Sequence, residues 1–136
     1  MISTMGNNLM PRRATKHSAG YDFKMPCEMT IEPGQTVVID SGICLEEGDL
    51  GIDQVMLLFP RSSLGIKYGL RLKNTVGVID ADYRDTIKIA LTTDKKITLM
   101  RGEKVMQGVI VKFGLIPQEI KPEAERTGGL GSTGKL

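Results

Sequence analysis

Apolar residues fall in short runs separated by turn formers, with almost no recurrence at helical spacing. Met29–Ile31, Thr36–Asp40 and Ile43–Leu45 are parted by Pro33-Gly34 and Ser41-Gly42. Val55–Phe59 is continuously apolar and ends at Pro60, the pattern of a buried strand. Ile87–Leu91 alternates, as a half-exposed strand does. Thr98–Met100 and Val105–Phe113 flank Arg101-Gly102-Glu103, which reads as a hairpin turn. Val, Ile and Thr dominate these runs, and β-branched residues suit a pleated, half-buried surface. The pattern predicts an all-β sandwich or barrel. One short helix is expected over Ser62–Tyr68, capped by Ser62 or Ser63 and stopped by Gly69.

No internal repeat or linker divides the chain. Residues 1–116 read as the β-domain and 117–136 as a C-terminal arm with a glycine-rich tail. Gln118–Glu125 is polar, contains Pro122 and reads as extended. Stretched out, such a segment spans ~25 Å, enough to carry the tail to a neighbouring subunit.

Composition narrows the chemistry more than the fold. The 136 residues fit one domain, and 40% of them are hydrophobic. Eighteen basic against 16 acidic residues leave a net charge of +2, too balanced to argue for direct nucleic-acid contact or a charged membrane surface. No apolar run approaches a membrane span, and the N-terminus lacks the pattern of a secretory signal. The expected location is the cytoplasm, with Cys27 and Cys44 as free buried thiols; their spacing leaves a disulfide open. His17 is the only histidine and reads as a solvated loop residue. That excludes Ser-His-Asp and Cys-His catalysis and histidine-rich metal sites. An enzyme built on this chain needs a carboxylate base and oxygen ligands for any metal.

Five islands carry candidate chemistry. Ala19-Gly20-Tyr21-Asp22 offers a carboxylate beside a glycine, suited either to close backbone packing or to receiving hydrated Mg²⁺. Pro60-Arg61-Ser62-Ser63-Leu64-Gly65 combines a guanidinium fork with hydroxyls at a helix start, an anion receptor. Its plainer reading is a capping serine beside a surface ion pair. The segment Asn74 to Tyr83 holds Asp80 and Asp82, two apart and therefore on one side of an extended strand. Ile79 and Tyr83 flank them, an apolar setting that would favour a general base. Asn74 offers a donor and an acceptor to a pyrimidine edge, and Tyr83 offers a flat face. Gly77, Asp80 and Asp82 are also turn formers, so the same segment reads equally as a turn. Gly102 to Gln107 places a polar Gln107 inside an apolar run. Last, Arg126 to Leu136 has glycines, hydroxyls and a cation near each end, a phosphate grip without a helix behind it. That tail is expected to close onto a site built elsewhere; a disordered terminus is the plain alternative.

In order and spacing, these five islands resemble the five motifs of the trimeric dUTPase family, from Ala19 to Gly134. The resemblance implies a jelly-roll-like β-barrel subunit with one short helix, in a homotrimer whose C-terminal arm crosses to a neighbour. It implies Mg²⁺-dependent hydrolysis of dUTP to dUMP and pyrophosphate at subunit interfaces. By position, Asp80 is similar to the carboxylate that activates the attacking water. Asn74 matches a uracil contact, with Gly77 and Ile79 in the same substrate-binding segment, and Tyr83 matches the tyrosine under the deoxyribose. Arg61, Ser62, Ser63 and Gln107 match the triphosphate-contact motifs, and Asp22 an acid near the metal's water shell. Arg126, Leu130, Gly131, Ser132 and Thr133 match the mobile closing arm. Three positions depart from the family pattern: Leu130 where phenylalanine is usual, Asp85 where glycine is usual, and Lys104 where arginine is common. A dUTP-binding regulator with a protein partner is the alternative expectation. A dCTP deaminase is less favoured, since the matching islands carry no suitable glutamate.

Overall fold

The computed structural model describes residues 1–129, 131 and 133–135. Twelve strands and one α-helix follow in order: β1 (Ile2–Ser3), β2 (Arg12–Arg13), β3 (Tyr21–Lys24), β4 (Met29–Ile31), β5 (Thr36–Asp40), β6 (Ile43–Cys44), β7 (Gln54–Pro60), α1 (Ser62–Tyr68), β8 (Arg71–Leu72), β9 (Gly77–Ile79), β10 (Lys88–Thr92), β11 (Ile97–Leu99) and β12 (Lys104–Lys112). A 3-10 turn covers Asn7–Leu9. The main sheet has the order β2-β3-β12-β7-β9, and a second has β5-β10-β8. β1 pairs with β6 and β11 with β4, and all pairings are antiparallel. The fold is thus the expected mostly-β architecture with one short helix.

The core lies between the sheets. Phe23, Ile31, Leu58, Ile87, Leu91, Leu99 and Met106 are almost wholly buried in it. Its members come from alternate positions of several strands, so burying one face of each strand fixes the register of all. Alternation breaks at several points, and one of them is in β12, where Val105 and Met106 are both buried. There the pairing with β3 steps from Lys104–Lys24 to Met106–Phe23, a β-bulge. The bulge has a consequence for the site. Lys104 and Gln107 are three apart and would otherwise point to opposite faces. The extra residue brings both onto the face of Asp22, since Gln107 pairs with Asp22, and Lys104 pairs with Lys24 two residues along from Asp22.

The helix boundaries match the expectation, but the cap does not. Arg61 is the N-cap residue and no side chain caps the helix, so Ser62 and Ser63 lie inside its first turn and keep their hydroxyls available. Gly69 ends the helix in the left-handed region at φ 66, where its N–H donates to the carbonyls of Gly65 and Leu64. Gly102, at φ 84, makes the expected turn with Glu103 donating to Met100. It does not close a hairpin: β11 pairs with β4, whereas β12 pairs with β3 and β7. Both cysteines are free, as expected, but Cys27 is exposed rather than buried. His17 is exposed.

Candidate active site

The sequence-derived residues gather in two groups. In the first, Asn74, Gly77, Ile79, Asp80 and Tyr83 line a cavity of about 220 Å³ with Lys88, Arg126, Gly129, Gly131 and Thr133. β9 delivers this group. Gly77 pairs with Leu58 of β7, and a Cβ on Gly77 would lie 2.9 Å from the Cβ of Leu58. Only a residue without a side chain lets β9 seat here, so Gly77 serves close strand approach rather than a turn.

Asp80 lines this cavity and Asp82 does not, and neither lies on a strand. β9 ends at Ile79, and the two acids sit on a turn in which the Tyr83 N–H donates to the Asp80 carbonyl. They still converge. Arg126 donates through Nη2 to Asp80, and through Nε to Asp82 at 2.8 Å. The guanidinium also lies over the Tyr83 ring, 5.7 Å from its centroid. These hydrogen bonds, that to Asp82 foremost, raise the pKa of Arg126, and the group stays charged. Asp80 is therefore a half-exposed, ion-paired carboxylate at 52% side-chain exposure, not one enclosed among apolar neighbours as expected.

Tyr83 is 8% exposed, and its hydroxyl donates to the Thr86 carbonyl at 2.9 Å. Burial first, then the nearby Asp85 and Asp40 carboxylates, push its phenol pKa up, so Tyr83 remains a neutral platform. Gly129 of the tail rests beside it: a Cβ there would lie 3.4 Å from the Tyr83 ring and 3.0 Å from Asp85 Oδ2. Asp85 thus stands at the tail's contact with Tyr83.

The second group lies on the bulged face of the main sheet and around α1. Asp22, with an 11% exposed side chain, accepts from Lys104 at 2.9 Å and lies 3.9 Å from Arg61. Arg61, Ser63 and Lys104 line a second cavity of about 310 Å³ with Lys67 and Tyr68. Gln107 sits opposite Asp22 in the register. Gly20 clears space for it, since a Cβ at residue 20 would come within 2.4 Å of Gln107 Oε1. The glycine thus serves Gln107 rather than the packing of Asp22 expected from sequence. Ser62 is exposed and does not line this cavity. Within one chain the two groups open into different cavities. Leu130 and Ser132 lie outside the described residues.

Sequence reasoning left out Lys88 and undervalued Lys104. Lys88 sits at an exposed position of the alternating β10, directly opposite Asp40, where only the pairing register reveals its proximity to Tyr83. Lys104 requires the bulge, which no composition signal announces.

A family model described as dUTPase matches residues 7–134. The deoxyuridine 5'-triphosphate nucleotidohydrolase of Lactococcus lactis subsp. lactis (strain IL1403) is 36% identical over 134 residues, covering 92% of this chain and 87% of that protein. That of Hydrogenovibrio crunogenus is 39% identical over 135 residues, covering 92% and 86%. The crystal structure of a dUTPase from Streptococcus mutans superposes with a TM-score of 0.71 at 39% identity, over 82% of this chain and 91% of that one. A dUTPase of Staphylococcus bacteriophage 80alpha, solved with dUpNHpp, shares the fold at a TM-score of 0.71 and 24% identity. A match this long, on a chain whose islands fold into a carboxylate pocket and a cationic face, establishes that the protein belongs to the dUTPase family.

Proposed function

We propose that the protein hydrolyses dUTP to dUMP and pyrophosphate, with Asp80 as the general base for water attack at the α-phosphate. The observation that carries this reading is the cavity in which Asp80, Asn74 and Tyr83 meet the arginine and glycines of the tail. Asn74 supplies a donor and an acceptor to the pyrimidine edge, and Tyr83 lies against the sugar. Asp80 takes the proton of the attacking water. Arg126 now holds Asp80 and Asp82; on nucleotide binding it exchanges carboxylates for phosphate oxygens, which its planar fork also fits. That exchange frees the base as the tail closes with Leu130, Gly131, Ser132 and Thr133 over the nucleotide. Arg61, Ser62, Ser63, Lys104 and Gln107 receive the triphosphate.

The residues fit Mg²⁺ as an ion carried on the substrate. Among the described residues, no group of three or more His, Cys, Asp or Glu side chains forms a metal cage. Mg²⁺ keeps several waters and binds through phosphates plus one or two carboxylates, so Asp22 would hold it through its water shell. When bound, the ion offsets charge on the phosphates.

Two observations support a homotrimer with interfacial sites; in a crossing arm the Arg126 contacts made here within one chain would be made with a neighbour's Asp80 and Asp82. The base pocket and the phosphate face open separately within one chain. The end of the β-domain exposes Leu115 and Ile116, and the arm exposes Ile120 at 98%, apolar surface suited to burial on a neighbour. No helix among the described residues is long and apolar enough to cross a membrane. Free thiols at Cys27 and Cys44 accord with a reducing cytoplasm. The test is pyrophosphate release from dUTP against dTTP, dCTP and UTP. Selective turnover of dUTP is expected. Tight dUTP binding without pyrophosphate release would refute the hydrolase reading in favour of a regulatory, partner-binding role.

A further inference from the structure

Tyr83 is held from below by a relay of side chains that neither the family motifs nor the proposed chemistry uses. Its hydroxyl donates to the Thr86 carbonyl at 2.9 Å. The Thr86 hydroxyl donates to Asp40 Oδ2 at 2.9 Å. The other carboxylate oxygen, Asp40 Oδ1, accepts the Gly42 N–H at 2.9 Å. Lys88, paired with Asp40 in the β10–β5 register, donates to the Thr86 hydroxyl at 3.3 Å and lies 4.0 Å from Asp40 Oδ2. Residues 84–87 have no regular secondary structure. The peptide that carries the Thr86 carbonyl is held on one side by its Ile87 N–H, which donates to the Ile43 carbonyl at 2.8 Å, and Lys88 Nζ donates to the Thr86 carbonyl itself at 3.5 Å. The side-chain tie to the last residue of β5 is the further restraint, and it acts on Thr86 directly.

We infer that Asp40 is a positioning residue for Tyr83, acting through Thr86, and that it sets how strictly the site separates a deoxyribose from a ribose. The inference rests on the reading of Tyr83 as the sugar platform. A 2′-hydroxyl fits only if the ring recedes, and the ring recedes only if the Thr86 carbonyl moves. Asp40, fixed on one side by the Gly42 turn and on the other by Thr86, resists that movement. Thr86→Val removes the link to Asp40 but leaves the carbonyl that Tyr83 uses. Asp40→Ala removes both acceptor oxygens, whereas asparagine could still accept from Gly42 and donate to the Thr86 hydroxyl. Thr86→Ser keeps the hydroxyl.

The experiment is kcat and KM for dUTP and for UTP in the wild type and the three variants, each checked for folding by thermal melt. In Asp40→Ala and Thr86→Val the ratio of kcat/KM, dUTP over UTP, should fall about 3- to 10-fold, the scale of one hydrogen bond. The fall should come from better use of UTP, with kcat for dUTP within about twofold of wild type and with Thr86→Ser retaining wild-type selectivity. The double variant should be no less selective than either single one, because both cut the same relay. An unchanged ratio in folded variants would overturn the inference. So would equal losses for both nucleotides, which would mark Asp40 as a fold residue only. If the wild type binds dUTP without hydrolysing it, the functional reading fails on its own. The relay is then judged by the ratio of dUTP and UTP dissociation constants in the same variants, and an unchanged ratio there overturns it.

Discussion

Replacing Gly77 with alanine probes how the fold positions the base. The new methyl carbon would lie 2.9 Å from Leu58 Cβ and 3.1 Å from Leu58 Cδ1. Carbon pairs are most favourable at about 3.5–4.0 Å, so the contact is roughly half an ångström or more too short. Leu58 is 1% exposed in the centre of the main sheet and cannot swing into solvent. Overpacking of this kind typically costs about 1–3 kcal/mol. Alternatively, β9 lifts away from β7 and carries Ile79 and Asp80 with it. Gly77→Ala should therefore lower both the melting temperature and kcat. Leu58→Ala alone should cost about 2–5 kcal/mol through the cavity it leaves. In the double variant the contacts with Leu58 Cδ1 and Cγ disappear but the 2.9 Å contact with Cβ, which alanine retains, persists, so the relief is partial. Denaturant unfolding gives the energies, and pyrophosphate release gives kcat. A Gly77→Ala protein with wild-type stability and kcat would refute the close-approach argument.

Three further outcomes follow from the same geometry. Gly20→Ala drives a methyl into Gln107, which should raise KM for dUTP with little change in melting temperature if the glutamine swings outward; steady-state kinetics and a thermal melt check both. Lys104→Met removes a point charge from the phosphate face and leaves Asp22 short of a partner, so KM should rise about tenfold, the scale of one charge-assisted bond, while kcat holds. Tyr83 has its folded pKa raised above the ordinary value of 10.0, so its neutral form favours the folded state. Its contribution is fully present below that ordinary value and is lost as pH climbs through the folded value. Urea unfolding across that alkaline window should show a steeper loss of stability in wild type than in Tyr83→Phe.

Much of this was legible from residues. The alternating and continuous apolar runs located β4, β5, β7 and β12, and Gly69 located the end of α1, because strand period and left-handed stops are local properties. The short strands β1, β2, β3, β8 and β9 were not foreseen, since none stands out as an apolar run bounded by turn formers on both sides, as Met29–Ile31 does. The hairpin expected at Gly102 failed for another reason: a turn is local, but the sheet each flanking strand joins is decided by distant partners. The candidate residues themselves came through chemistry at fixed spacing. Asp80, Tyr83 and Asn74 do share a cavity, although a turn rather than a strand aims the acids. The pairing of Lys104 with Asp22, and the relay through Asp40, depend on a bulge and a register, neither of which a single sequence displays.

Everything in the proposed chemistry turns on one carboxylate accepting a proton from water. Turnover of Asp80→Asn on dUTP, measured beside its affinity for the nucleotide, tests this most directly. A positioned base contributes roughly 10²–10⁴ in rate, so kcat should fall by about that factor while dUTP still binds. A folded Asp80→Asn protein that releases pyrophosphate at the wild-type rate would contradict the assignment.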